Sequence, residues 1–487
     1  VAGKEELRIE RIKKLEAYKA SGASAYPIGE PIEHTLQEVK KNFAKLSQKE
    51  PMRLAGRVRA IRGQGAIAFV DLDDGTERFQ VVFRKGEITD ARLDLFRDTI
   101  DLSDIIEVTG LLFTTERGMD SLLVQDWLLL TKTLLPLPDK WHGLQDLEER
   151  FRRRYLDTLS NDEVKERFIL RSKVIAHTRH ILNEAGYLEV ETPMMQAIPG
   201  GTNAEPFKTH HNALDMDLFM RIAPELYLKR LIVGGFPKVY EIGRNFRNEG
   251  IDVTHNPEFT MLEFYEAYSN AEKQMAFVES LLKRLVKDVL EKESIPHGET
   301  VIHLDKPFAR VTLYGLFRAY VQTVGPEKLT HEGWVKEAGR LGVTVEKGDT
   351  TMKIMDTIYK RHIRPKLIQP VFVTDYPVEY LPLAKRKKDD PALVDAFQLV
   401  IGGVELVKAF SELNDPLDQR ARFEEQEKNR GAGDAEAQQM DEDFLEALEH
   451  GMPPAGGVGI GIDRLLMLLL GVQNIREVIL FPTLRTR

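Results

Sequence analysis

No cysteine occurs anywhere in the 487 residues. That excludes a disulfide framework, a thiolate zinc site and a cysteine nucleophile together. Long apolar runs are missing too. The richest one, toward the C-terminal end, is broken by Asp463 and Arg464, so no membrane-spanning helix is expected. No N-terminal stretch has the pattern of a secretory signal, and the cytoplasm is the expected compartment. Positive charge is not in surplus: 68 Lys and Arg stand against 77 Asp and Glu, a formal net charge of −9. That argues against a surface built throughout for nucleic acid, and leaves room for a local basic patch and a cationic or magnesium-linked substrate. What is present, 42% hydrophobic and 30% charged residues, is ordinary for a globular protein of two or more domains. The adjacent His210 and His211 lack the spacing of helical metal ligands and read as polar loop residues.

Taken in order, residues 4–20 form a charged helix ending at Gly22, with Leu7, Ile9, Ile12, Leu15 and Tyr18 as a partial apolar stripe. It is either a solvated helix docked on its neighbour or a basic arm lying along RNA. A second helix is expected over 35–48. From Pro51 to Thr131 the pattern shifts to short strands. Leu54, Val58 and Ala60 share one face, opposite the arginines of that run. Ala68, Val70 and Leu72 face a core, which turns Phe69 outward beside Asp71; likewise Phe79, Val81 and Phe83 face in and Gln80 faces out. Arginine, an outward aromatic and an amide on one sheet face suit single-stranded RNA, whose bases stack and hydrogen-bond. Short strands with a Gly-rich turn fit a small OB barrel. Pro136 to Gly143 reads as a rigid linker. The basic run Arg150-Phe-Arg152-Arg153-Arg154 that follows faces RNA or forms an interdomain ion-pair cluster. The expected plan is a helical extension over 1–50, a barrel over 51–135, a linker over 136–150 and a second domain over 151–487.

Within that second domain, Phe246 to Tyr265 reads as two strands joined by a loop at Gly250, Asn256 and Pro257. Arg247 and Glu249 point to one face near the end of the first strand. Phe259, Met261, Glu263 and Tyr265 alternate with Thr260, Leu262 and Phe264 along the second. Acids on a half-buried strand are normally paired or used. The residues Phe-Arg-Asn-Glu, His-Asn-Pro-Glu-Phe-Thr and Glu-Phe-Tyr resemble motif 2 of the class II aminoacyl-tRNA synthetases, in the form carried by their lysine-specific family. The helix and strand over 168–193 resemble motif 1. The glycine-rich strand and apolar helix over 456–471 resemble motif 3, and a helical insertion over about 270–370 has its counterpart in the family. The likeness covers nearly the whole chain.

The resemblance implies an α+β protein: an N-terminal OB-fold anticodon-binding barrel and a class II catalytic domain, an antiparallel sheet flanked by helices. It implies ATP-dependent activation of L-lysine and its transfer to tRNA(Lys), by a homodimer joined through motif 1, with Mg2+ as the metal. Arg247 would bridge the substrate carboxylate and the α-phosphate, Phe259 and Arg464 would sandwich adenine, and Glu249 and Asn256 would meet its edge or the ribose. His255 would meet the outer phosphates and Glu405 would hold Mg2+. The Gly201 carbonyl and Glu225 would take the α-ammonium, and Glu263, Glu412 and Tyr265 the side-chain ammonium. In the barrel, Phe69 would stack an anticodon base and Gln80 would read one, with Arg62 and Asp126 as further contacts. Because Glu405 and Glu412 differ in strand parity, a bulge between 406 and 411 is required for both to serve one site.

Three positions depart from the family pattern. Gln398 stands where a second magnesium-binding glutamate is usual, Lys408 replaces an asparagine near the substrate carboxylate, and Thr254 precedes the histidine. Lys408 is expected to pair with that carboxylate. A lysine ligase acting on a protein acceptor lacks the barrel, and an asparagine synthetase of this class lacks both barrel and acidic pocket. An inactive RNA-binding paralogue would have only Gln398 and Lys408 in its favour.

Overall fold

Apolar and polar residues alternate between Met52 and Thr131, and each alternating run becomes a strand with one dry face. In this computed structural model, which describes residues 3–47, 50–63, 65–137, 144, 146–431 and 437–486, these are β1 (Met52–Arg62), β2 (Ile67–Asp73), β3 (Arg78–Arg84), β4 (Ile105–Thr114) and β5 (Asp120–Thr131). They close into a barrel in the order β1-β2-β3-β5-β4. Ala68, Val70, Leu72, Phe79, Val81 and Phe83 are buried, as are Leu54 and Val58. Ala60 is not: the β1–β2 register shifts between Val58 and Ala60, and the bulge takes Ala60 off the core face.

The chain divides into two compact units, Val1–Leu144 and Gln145–Arg487. In the first, Tyr18, Leu36, Val39 and Leu46 join the barrel's own core. The helix Lys4–Ala20 buries Arg11, Leu15 and Tyr18, and the Tyr18 hydroxyl accepts the Leu129 N–H at 3.0 Å. Each such large apolar side chain contributes about 1.5–3 kcal/mol on burial, which docks this helix on the barrel. Leu7 and Ile9 stay exposed. The expected helix over 35–48 is two short ones, Leu36–Lys41 and Phe43–Leu46.

The linker residues 138–143 lie outside the described residues. The basic run after them is paired within the second unit. Arg150 and Arg154 reach Asp157 at 2.8 and 2.9 Å, Arg152 reaches Glu148 at 2.6 Å and Arg153 reaches Glu149 at 3.2 Å. Arg154 also donates to the carbonyls of Arg476, Ile479 and Leu480.

The second unit carries β6 (Leu188–Glu189), β7 (Met195–Gln196), β8 (Lys208–His211), β9 (Met216–Met220), β10 (Lys238–Phe246) and β11 (Glu258–Ala267). Then come β12 (Ser294–His297), β13 (Thr300–His303), β14 (Ala309–Thr312), β15 (Val371–Pro377), β16 (Leu393–Ile401), β17 (Val404–Ser411) and β18 (Ala455–Gly461). Eight form one sheet, β14-β15-β16-β17-β18-β11-β10-β6. Its six inner strands are antiparallel, as expected, while the edge pairs β14–β15 and β10–β6 are parallel, which makes the sheet mixed. Leu262, Phe264, Val407, Ala409, Val458 and Ile460 turn one face into a core shared with the helices Asp162–Glu184, Ala271–Leu290 and Ile462–Leu470. Residues of opposite parity line the other face. The segment between motifs 2 and 3 is less purely helical than expected, because it includes the β12–β13 hairpin and β14. The motif 1 strand shrinks to the two residues of β6.

Candidate functional site

Antiparallel pairing carries one row of side chains straight across the sheet: Gln398 on β16, Lys408 on β17, Gly459 on β18, Glu263 on β11 and Glu241 on β10. The next row runs Phe410, Gly457, Tyr265 and Val239. Glycine on β18 is what leaves space above these rows. A Cβ at Gly457 would collide with the Glu412 carboxylate and the Tyr265 ring. The β16–β17 hairpin closes on Gly402 and Gly403 with φ of +59° and +76°, the paired left-handed conformation of a tight hairpin turn. Just after that turn the register shifts: Val400 faces Glu405 while Leu399 faces Val407. Leu406 is therefore the extra residue, and this bulge resolves the parity conflict between Glu405 and Glu412.

Over these rows lies a cavity of about 410 Å3. Gly201, Glu225, Arg247, Glu249, His255, Asn256, Phe259, Glu263, Tyr265, Gln398, Glu405, Lys408 and Arg464 all line it. Glu412 sits behind the lining, 1% exposed. Arg247 and Glu249 stand just beyond the end of β10 rather than on it; Arg247 N–H still bonds the Pro257 carbonyl at 2.9 Å.

One end of the cavity is acidic. Lys229, i+4 from Glu225 on the helix Glu225–Val233, puts its Nζ 2.6 Å from Glu225 Oε1 and 2.5 Å from Glu412 Oε2. The approach to Glu412 is too bent for a hydrogen bond, so neither Glu412 oxygen has an aligned donor. Burial opposes the Lys229 charge, but the two carboxylates outweigh it and hold its pKa above the usual value. Burial drives Glu412 well above the carboxylate range, with Lys229 opposing. Burial, then the Glu225 charge, pushes Glu263 up to about 8. Tyr265 donates to it at 3.1 Å. Lys229 thus bridges two of the three buried acids; the third, Glu263, has no direct ion pair among the described residues, though the Arg247 and Arg221 charges act on it.

The other end is cationic. The Arg247 guanidinium lies 5.0 Å over the Phe259 ring, with long bonds to the Ile222 carbonyl at 3.4 Å and the Met261 sulfur at 3.9 Å, and its buried Nε has no partner. Arg464 reaches the Glu405 carbonyl at 3.2 Å and His255 Nε2 at 2.9 Å, and His255 Nδ1 meets Asp252 at 2.8 Å. Asn256 Nδ2 donates to the Glu258 carbonyl at 2.7 Å, leaving its buried Oδ1 unpaired. Burial pulls Lys408 below the usual lysine value, and Glu405 and Glu225 oppose it.

Several lining residues escaped the sequence reading. Asp356 and Lys360, an ion pair at 2.6 Å, come from the expected helical insertion, and Tyr380 from just beyond it. Gln438 lines it too, and donates to Asn203 at 3.2 Å. The i,i+4 spacing of Glu225 and Lys229 was a readable signal. Asp463, 2% exposed, accepts the Thr260 N–H at 2.7 Å and Arg171 Nη1 at 2.5 Å, while Arg171 Nη2 donates to Thr260 Oγ1 at 3.0 Å. One triad thereby ties motifs 1, 2 and 3 together.

In the first unit, Phe69 faces Arg62 across β1–β2 and Asp71 faces Gln80 across β2–β3. Arg62 bonds Asp71 at 2.7 Å and Ser121 donates to Gln80 at 3.0 Å. These make one polar face that includes the Phe69 ring. Asp126 stands apart on β5, held by Arg92 at 2.9 Å.

Residues 146–485 match the family model of class II tRNA synthetases (D, K and N), and residues 52–130 match that of the OB-fold nucleic-acid-binding domain. The lysine–tRNA ligase of Pelotomaculum thermopropionicum is 47% identical over 99% of this chain and 95% of its own length. That of Carboxydothermus hydrogenoformans is 47% identical over 98% and 97%, and that of Halalkalibacterium halodurans 47% over 99% and 97%. With two family models falling on its two units and this likeness running end to end, the chain belongs to the lysine–tRNA ligase family of class II tRNA synthetases.

Proposed function

We propose that this chain activates L-lysine with ATP and transfers it to the 3′ end of tRNA(Lys), and that the cavity over β11, β17 and β18 is where it does so. The observation that carries the reading is the acidic end, where Glu225, Glu263 and Glu412 are buried and Lys229 bridges only Glu225 and Glu412. A substrate ammonium beside Glu263 and Tyr265 gives the third acid a direct partner. Each charge-assisted contact is worth about 1.5–3 kcal/mol, enough to select lysine over a neutral isostere. An aspartate side chain would meet only repulsion.

Activation joins a substrate carboxylate oxygen to the α-phosphorus of ATP and breaks the bond to the bridging oxygen, releasing pyrophosphate. The tRNA hydroxyl then attacks the aminoacyl carbonyl and AMP leaves. No enzyme nucleophile is needed; alignment and charge neutralisation carry the rate. Arg247, with an orphaned buried donor, bridges carboxylate and α-phosphate, a forked role lysine fills poorly. Adenine enters between Phe259 and Arg464, with Glu249 and Asn256 at its edge and His255 at the outer phosphates. Gly201, packed against Glu225, helps Glu225 take the α-ammonium, and Lys408 pairs with the carboxylate.

Among the described residues no cluster of three or more His, Asp or Glu is set to hold a metal. Glu405 faces the cavity as one carboxylate, which fits a Mg2+ ion that draws its other ligands from phosphates and water. Bound there, Mg2+ neutralises phosphate charge. Phe69, Gln80 and Arg62 form the anticodon-reading face, with Asp126 outside it. Exposed Leu188, Met194 and Met195, beside the motif 1 helix, support a homodimer. No described helix is long and apolar enough to cross a membrane, and we place the enzyme in the cytoplasm. Lysine-dependent ATP–pyrophosphate exchange, run beside aspartate and asparagine, tests the reading. Exchange with lysine alone is expected; exchange with neither lysine nor any other amino acid would overturn it.

A further inference from the structure

Gln398 and Lys408 face each other directly across the β16–β17 pair, and both line the cavity with Glu405. The Gln398 side-chain oxygen is already engaged: the hydroxyl of Tyr376, itself 1% exposed, donates to it at 2.8 Å. An amide binds a hard cation through its oxygen. That bond takes one of the oxygen's two lone pairs and fixes the amide from behind, while its NH2 group has no protein hydrogen bond among the described residues. Lys408 adds three further donors, and no carboxylate among the described residues pairs with it, in contrast to Lys229 with two. Two donor groups side by side repel a divalent cation and attract oxyanions.

We propose that the Gln398–Lys408 pair is a cation-replacing phosphate clamp. Its ammonium and amide donate directly to phosphate oxygens of ATP, so that the cavity takes one divalent ion, on Glu405, and none on the β16 side. The three Lys408 N–H groups serve the substrate carboxylate on one side and the neighbouring phosphate on the other. The proposal rests on the reading of this cavity as the ATP site.

The test counts Mn2+, as a stand-in for Mg2+, bound to the full chain saturated with the α,β-methylene analogue of ATP, by electron paramagnetic resonance. Retention of radiolabelled nucleotide is measured on the same samples. One Mn2+ per chain is expected; two or more with nucleotide bound would overturn the clamp while leaving the ATP site standing. No retained nucleotide would sink the ATP reading itself, and the clamp with it. In the double variant Gln398→Glu, Lys408→Asn the count is expected to rise to two, and a count still at one removes the assignment to this pair. Lys408→Met, assayed with all divalent metal chelated, is expected to weaken analogue binding about tenfold or more; unchanged affinity would also overturn the proposal.

Discussion

At the acidic end of the cavity the chain supplies its own cation, Lys229, between two carboxylates at 2.5 and 2.6 Å. At the other end Arg247 and Lys408 face the cavity with almost nothing to hold. The two ends solve different problems. A floor that must recognise an ammonium is kept short of positive charge, with part of its acid neutralised from inside. A wall that must receive a triphosphate is left with unspent donors. Charge that is paired builds the pocket; charge that is unpaired defines the ligand.

Breaking the paired end should have the largest effect. Lys229→Met leaves Glu225 and Glu412 buried without their shared cation, a loss of about 3–5 kcal/mol, read as a lower denaturant midpoint of the full chain. Adding Glu412→Gln to it should return part of that loss. Equal midpoints for Lys229→Met and the parent would show the triad is not holding the fold. Next comes the unpaired end: Arg247→Ala is expected to slow lysine-dependent exchange by about 10²–10³-fold, with an unchanged unfolding midpoint. A fall in stability instead would make Arg247 a structural residue.

The third prediction sharpens the contrast through pH. Glu263 titrates near 8 in the fold against 4.5 when unperturbed. Between those values the native state keeps a proton that the unfolded state has lost, so the stability of the ligand-free protein falls as pH rises through that window. Lysine needs the carboxylate. Its affinity should therefore climb by up to about tenfold per pH unit toward pH 8 and then level off, with release of a proton on binding. Calorimetry in buffers of different ionisation enthalpy reads that proton directly. Glu263→Gln should abolish both the release and the slope.

How much of this was legible depended on range. The β11 face was readable because a half-buried strand repeats every two residues, and Phe259, Met261, Glu263 and Tyr265 all reach the cavity. The bulge at Leu406 was readable because two acids of opposite parity had to meet. Lys229 was visible in principle, since i,i+4 spacing to Glu225 is local. The same holds for Arg150 to Arg154, whose partners Glu148, Glu149 and Asp157 lie within seven residues. Asp356, Lys360, Tyr380 and Gln438 were not legible. They sit on a short helix, on single turns and on a stretch outside any helix, and only tertiary packing brings them to the cavity. Ala60 was misplaced because no local signal marks the bulge before it.

The place of β18 in the sheet has a consequence for how the molecule is made. It lies between β17 and β11, yet it leaves the ribosome after every other strand of that sheet. Until then β11 and β17 each present a bare edge, an invitation to pair with another chain. The Arg171–Asp463 bond, which closes over 292 residues of sequence, also has to wait. A nascent chain of this kind must be kept from premature pairing for most of its synthesis. A nick that removes β18 does not trim the protein; it splits the sheet down its middle.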